Sequence, residues 1–133
     1  MRKVSVLLAG MTVAGGLAIS STAASADDLA IQSCYGHASN YSKAGGEAFY
    51  PSSYPGGRWL TTSANCGDIN LRPKTASGVK VCFDPASGSP YCQSSFTLAH
   101  ANVWNVIARD VVDGIKFKFY FVSNQESNGQ FAA

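Results

Sequence analysis

Ile115-Lys116-Phe117-Lys118-Phe119-Tyr120-Phe121-Val122 decides the fold. Ile115, Phe117, Phe119 and Phe121 alternate with Lys116, Lys118, Tyr120 and Val122. Successive side chains of an extended chain point to opposite faces, so this period of two predicts a half-buried strand. The aromatic face demands an apolar layer opposite it, whereas Lys116, Lys118 and Tyr120 read as a solvated face, with a ligand patch as the alternative. Asp113-Gly114 stands just before and favours a tight hairpin turn. Residues 103–112 are therefore expected to be the hairpin partner. There Trp104, Val106 and Ala108 share one face while Ile107 and Val111 fall on the other, a conflict that a β-bulge or burial on both faces resolves.

The same pattern recurs upstream in shorter pieces. Val79, Val81 and Phe83 alternate with Lys80 and Cys82, and Ile69 and Leu71 with Asp68, Asn70 and Arg72. Trp59-Leu60-Thr61-Thr62 and Phe96-Thr97-Leu98 read as short strands, as does the run over residues 29–35. Turn formers punctuate these runs at Gly45-Gly46, Pro51, Pro55-Gly56-Gly57, Pro73, Gly78, Pro85, Gly88 and Pro90. No stretch after residue 26 reads as a long amphipathic helix. The expectation is an all-β fold, a small sandwich or jelly-roll-like domain of about seven or eight short strands packed sheet on sheet.

Residues 1–26 read differently. Arg2 and Lys3 precede an uncharged apolar run over residues 4–19, and small residues follow up to Ala24-Ser25-Ala26. That order is the signature of a secretory signal peptide. The expected organisation is a signal peptide over residues 1–26, a single secreted β domain over 27–122, and a polar, mobile tail over 123–133. Without the first segment, eight basic residues face eight acidic ones. A formally neutral domain is a poor match for nucleic acid or for an anionic membrane surface. Asn40-Tyr41-Ser42 fits the glycosylation acceptor pattern.

Four cysteines, Cys34, Cys66, Cys82 and Cys92, form an even set, which in an exported chain reads as two disulfides. Three connectivities are open. The short Pro-, Gly- and Ser-containing loop between Cys82 and Cys92 favours pairing those two, leaving Cys34 with Cys66. Each bridge is worth roughly 2–4 kcal/mol. Cys34 and His37 have the spacing of half a zinc site, but no second half follows, and no metal or other cofactor is expected.

Cys66-Gly67-Asp68-Ile69-Asn70-Leu71-Arg72-Pro73, Val79-Lys80-Val81-Cys82-Phe83, Tyr91-Cys92-Gln93 and the run from Trp104 through Asp110, Asp113-Gly114 and Lys116-Phe117 carry a resemblance. Together they resemble a group of small exported, disulfide-containing proteins of filamentous soil bacteria. The resemblance covers the chain from about Trp59 onward and implies secretion and a compact β domain. The group has no assigned activity, so no functional residue is implied.

Catalytic signals are sparse. His37 and His100 are the only histidines, and neither a Gly-x-Ser-x-Gly elbow nor a His-Glu-x-x-His helix occurs. Glu47 and Asp68 are two carboxylates without a spacing that marks a glycosidase pair. Asp110 and Asp113 flank the expected turn and read as turn formers, with calcium ligation as the alternative. The expectation is a non-enzymatic protein.

The best candidate site is Phe49-Tyr50-Pro51-Ser52-Ser53-Tyr54-Pro55-Gly56-Gly57-Arg58-Trp59. Sugar rings stack on flat aromatic faces, so Tyr50, Tyr54 and Trp59 are candidate ligand-binding residues, with Arg58 as hydrogen-bond donor. The alternative is packing, in which Phe49 and Trp59 close the core and the tyrosines cover a loop. Three functions follow as expectations. The first is a module for extracellular polysaccharide or cell wall, and the second an inhibitor of an extracellular hydrolase acting through residues 84–91. The third is a structural cell-surface protein.

Overall fold

The computed structural model describes residues 25–133. The expected signal peptide thus lies outside the described residues, apart from Ser25 and Ala26. The chain continues as helix α1 (Ala26–Gly36), where a strand over residues 29–35 was expected. Ser25 explains the difference. Its hydroxyl accepts the Asp28 N–H at 3.2 Å and its carbonyl accepts the Leu29 N–H at 3.1 Å, the arrangement of an N-cap. The apolar Leu29 and Ile31, which suggested a strand, are both exposed.

Ten strands follow among the described residues: β1 (Ser39–Lys43), β2 (Phe49–Tyr50), β3 (Leu60–Thr61), β4 (Ile69–Pro73), β5 (Ser77–Asp84), β6 (Tyr91–Cys92), β7 (Thr97–Ala99), β8 (Asn105–Ala108), β9 (Lys116–Phe121) and β10 (Ser127–Ala132). They form two antiparallel sheets packed face to face as a β-sandwich. The first sheet runs β1-β10-β4-β8. The second runs β2-β9-β5-β6, with β3 also on β9 and β7 also on β5. Tyr41, Ile69, Leu71, Ile107 and Ala108 of the first sheet pack against Val79, Val81, Phe83, Phe117, Phe119 and Phe121 of the second. The alternation read from residues 115–122 therefore holds on its apolar side, with Phe117 and Phe119 fully buried.

The expected hairpin does not form. Residues 105–108 pair with β4 in the first sheet, whereas β9 belongs to the second. The Asp113-Gly114 turn carries the chain between sheets and docks on Thr62, whose carbonyl accepts the Gly114 N–H at 2.9 Å. The Thr62 hydroxyl donates to the Val112 carbonyl at 2.8 Å and accepts the Ile115 N–H at 3.0 Å. The bulge is present, however: the β4–β8 register shifts between Ile69 and Asn70, and both Ile107 and Ala108 face inward.

The polar segment expected as a mobile tail instead supplies β10, which lies between β1 and β4. Gly129 makes that position accessible. A Cβ there would press on the Arg72 carbonyl oxygen and lie 2.8 Å from Pro73 Cα and 2.9 Å from Tyr41 Cε1.

Both expected disulfides are present. Cys82 and Cys92 are register partners between β5 and β6, and Cys34 joins Cys66 with Cα atoms 4.7 Å apart. Around the second bridge a small cluster gathers Ala132, Tyr35 and Trp104, the last two stacked at 4.5 Å and 2°. Burial raises the Tyr35 hydroxyl pKa, as does the nearby Asp68 charge. Asn70 is buried beside the cluster and donates to the Asp68 and Ala132 carbonyls at 3.2 and 3.1 Å. Two disulfides suit an oxidising, extracellular environment, and no described helix is long and apolar enough to cross a membrane.

Candidate functional site

The site begins with a division of labour between neighbours. Phe49 is the register partner of Tyr120, and Tyr50 that of Phe119. Phe119 points into the core, so Tyr50 points there too and packs against Tyr41 and Phe131 at 5.5 and 6.3 Å. Tyr50 is therefore a packing residue, while Phe49 stands on the outer face of the second sheet. This reverses the roles that a packing reading of the loop gives them.

Along that outer face the rings form a continuous row. Trp59 meets Tyr54 at 6.1 Å, and Tyr54 stacks on Phe49 at 5.1 Å. Phe49 stacks on Tyr120 at 4.4 Å, and Tyr120 meets the edge of Phe96 at 5.4 Å. Phe49 is thus enclosed between two near-parallel rings, and Trp59 and Phe96 end the row. Lys80 sits among them with its ammonium 4.5 Å from the Phe96 ring and 5.3 Å from Tyr120. Leu98 and Val122 extend the apolar surface on either side of Gly78, and they are 58% and 63% exposed. A patch this continuous on the surface of a small protein is a candidate interaction surface.

Lys118 builds one end of the row. Its position in β9 is on the outer face, where a solvated lysine was expected, yet it is fully buried. Strands β2 and β3 lie end to end along the same edge of β9, and the chain between them folds over Lys118. The ammonium donates to the carbonyls of Ser53 at 2.6 Å, Gly56 at 2.8 Å and Ser52 at 3.3 Å. Trp59 closes the cage, its ring 4.7 Å from Nζ. Gly57, at φ 81°, completes the wrap, because a Cβ there would lie 2.6 Å from the Ser52 carbonyl oxygen. Burial lowers the Lys118 pKa, and the Arg58 charge lowers it further. Lys116 remains exposed and Tyr120 half-buried, so the three residues of that face have three different environments.

Of the four expected ligand residues, the structure brings Tyr54 and Trp59 together, places exposed Arg58 beside them in the chain, and removes Tyr50 to the core side. The sequence reading missed Phe96 and Lys80, gave Phe49 a packing role within the candidate loop, and set Tyr120 in a separate patch with Lys116 and Lys118. The alternation in residues 115–122 already put Tyr120 outside; what was missing was the register that sets Phe49 beside it.

The other candidates have local roles. The Asp68 carboxylate accepts the Asp110 N–H at 2.9 Å, fixing a residue at φ 52°. His37 and His100 are exposed, and Glu47 precedes β2 while Asp68 precedes β4 in the opposite sheet. Lys43 repeats the Lys118 motif: buried, it donates to the Glu47 carbonyl at 2.6 Å and to the Gln125 carbonyl, over the Phe121 ring. Burial lowers its pKa, and the Glu47 charge partly opposes that. Residues 86–89 form an exposed loop whose ends are tied by the Cys82–Cys92 bridge, with Tyr91 exposed at its base. No family model, no curated protein and no solved structure matches this chain significantly.

Proposed function

We propose that this is a secreted, non-enzymatic binding module for extracellular polysaccharide or cell envelope, acting through the outer face of the second sheet. One observation carries the reading: the unbroken row Trp59–Tyr54–Phe49–Tyr120–Phe96 on that face. Each end ring has one face taken by an ammonium, Lys118 on Trp59 and Lys80 on Phe96. The opposite faces are the stacking surfaces this reading assigns to sugar rings, with Arg58 as a donor to their hydroxyls. The signal-like residues 1–26 and the two disulfides support export.

The test is co-sedimentation of the oxidised protein with insoluble polysaccharides and cell-wall sacculi. At least one polymer is expected to deplete it from solution. Tyr54→Ala and Phe96→Ala, each with an unchanged fold by circular dichroism, are expected to weaken that depletion at least about tenfold, the loss of one ring contact or more. Absence of depletion by every polymer removes the reading.

A second reading is favoured by the exposed loop pinned at Cys82–Cys92. A loop pre-ordered in this way loses little entropy on entering an enzyme cleft, the property of a hydrolase inhibitor. It predicts inhibition of an extracellular hydrolase that disappears when the chain is cut between Asp84 and Pro90 while the disulfide stays intact. A panel of secreted hydrolases showing full activity in excess protein eliminates it.

A further inference from the structure

The outer face of the first sheet carries a different surface. Asn40 is the register partner of Gln130, and Gln130 that of Arg72. Their neighbours Tyr41, Phe131 and Leu71 point into the core, so these three polar side chains stand together on the far side. One row along, Ser42 pairs with Asn128, and the Asn128 carbonyl accepts the Lys74 N–H at 2.9 Å. Asn102 closes the flank. It stands at φ 62° with its N–H held by the Pro73 carbonyl at 2.7 Å, and its own carbonyl accepts Arg72 Nε at 3.3 Å.

The result is a groove of about 400 Å³ lined by Asn40, Arg72, Lys74, Asn102, Asn128 and Gln130. That volume is within the range of small-ligand sites. Its lining includes four side-chain amides and two cations, and no carboxylate. An amide carries donors and an acceptor in one plane, which matches adjacent hydroxyls on a sugar ring; the Gln130 oxygen already accepts Arg72 Nη1 at 3.4 Å and the Asn128 oxygen the Ser42 hydroxyl at 2.9 Å, so these two contribute chiefly their N–H donors. Arg72 and Lys74, in a lining without a carboxylate, favour an anionic group; Arg72 donates through Nε to Asn102 and through Nη1 to Gln130, and its remaining N–H groups suit a carboxylate or a phosphate.

We propose that this groove binds an anionic glycan, a hydroxylated chain bearing carboxylate or phosphate groups. The site lies on the opposite sheet from the aromatic row and uses none of its residues, so it stands whether or not that row binds sugar.

The experiment is calorimetric titration of the oxidised protein with three probes: oligogalacturonate, poly(glycerol phosphate) and dextran. Binding of either anionic probe, without binding of dextran, is the expected result. Oligogalacturonate alone identifies carboxylates as the recognised group; poly(glycerol phosphate) alone identifies phosphates. The double variant Arg72→Gln/Lys74→Gln is expected to weaken binding at least about tenfold at unchanged melting temperature, and raising salt from about 50 mM to about 500 mM is expected to weaken it in the wild type. Lys74→Glu, a single reversal at an exposed position, repeats the test should the double variant be unstable. The proposal is overturned if neither anionic probe binds, if dextran binds as tightly, or if these variants bind like wild type. Binding lost in Tyr54→Ala but kept in the double variant also overturns it and assigns the ligand to the aromatic row.

Discussion

Gly129→Ala is expected to cost about 3 kcal/mol or more, at the severe end of single substitutions. The reason is backbone against backbone. The added methyl would press on the Arg72 carbonyl oxygen, with Pro73 Cα at 2.8 Å and Tyr41 Cε1 at 2.9 Å. A flexible side chain would swing away, but β4 carries two of these three atoms and is itself paired to β8 on its far side. Relief requires β10 and β4 to part, and their separation breaks the middle of the first sheet. Tyr41 has little freedom to yield either: it is buried, and its hydroxyl is paired with that of Ser127 at 2.9 Å. For a domain with a stability of roughly 5–15 kcal/mol the loss is large enough to lower expression as well as melting temperature. Urea unfolding of the two proteins measures it. A midpoint within experimental error of wild type would mean that the strands separate at no cost, contrary to this packing.

The second large effect is expected at Lys118. Lys118→Met keeps the length and apolar stem of the side chain but removes the ammonium that gathers the Ser52, Ser53 and Gly56 carbonyls. Hydrogen bonds from a charged donor are worth about 1.5–3 kcal/mol each, but the three acceptors lie in an exposed loop and regain water when released, so the expected net loss is about 2–3 kcal/mol. The loss should be local. Hydrogen exchange over residues 51–58 is expected to accelerate while β5 and β9 stay protected. Fast exchange throughout the second sheet would show instead that Lys118 supports the whole layer. A pH series adds a readout that packing alone does not move. The Lys118 pKa is lowered in the folded protein, so below about pH 10.4 the unfolded chain binds more protons and stability rises with pH through that window. Lys118→Met is expected to show a shallower rise, with the part due to Lys43 remaining. From about pH 10 upward Tyr41 and Tyr35 oppose that rise, because burial raises their pKa and the unfolded chain loses these protons first.

Lys118 also shows why part of the site was hidden in the sequence. Alternation places a side chain on a face and says nothing of what covers that face. The cover here comes from residues 52–56, more than sixty positions away, and consists of backbone carbonyls that any sequence supplies. Periodicity did identify the core faces of β4, β5 and β9, because Ile69, Leu71, Val79, Val81, Phe117 and Phe119 each gain from burial whatever their partners. Partner choice was a different matter. Asp113-Gly114 is a real turn, but whether the strands it joins pair or diverge depends on β4, which takes residues 105–108 away.

The aromatic loop was legible as a cluster and not as a surface. Phe49 and Tyr50 are adjacent and chemically similar, and a single step of register decides which one faces outward. Ser127, Asn128, Gly129 and Gln130 have almost no apolar surface to announce a strand. Their extended state comes from neighbours on both sides, and so from outside the segment. In α1 the opposite held: Ser25 carried the deciding signal, and the apolar residues after it obscured it.

The place of β10 governs when this fold can exist. It follows every other strand in the chain, yet it separates the first from the fourth, so β1 has no neighbour in its sheet until residues 127–132 have been made. β4 and β8 can pair ahead of it, but β1 cannot join them, and folding must close a loop of more than eighty residues between Lys43 and Ser127. The first sheet is therefore whole only once residues 127–132 have joined it. Under the export proposed above, that order would suit a polypeptide that crosses a membrane unfolded and takes shape, with its disulfides, on the far side.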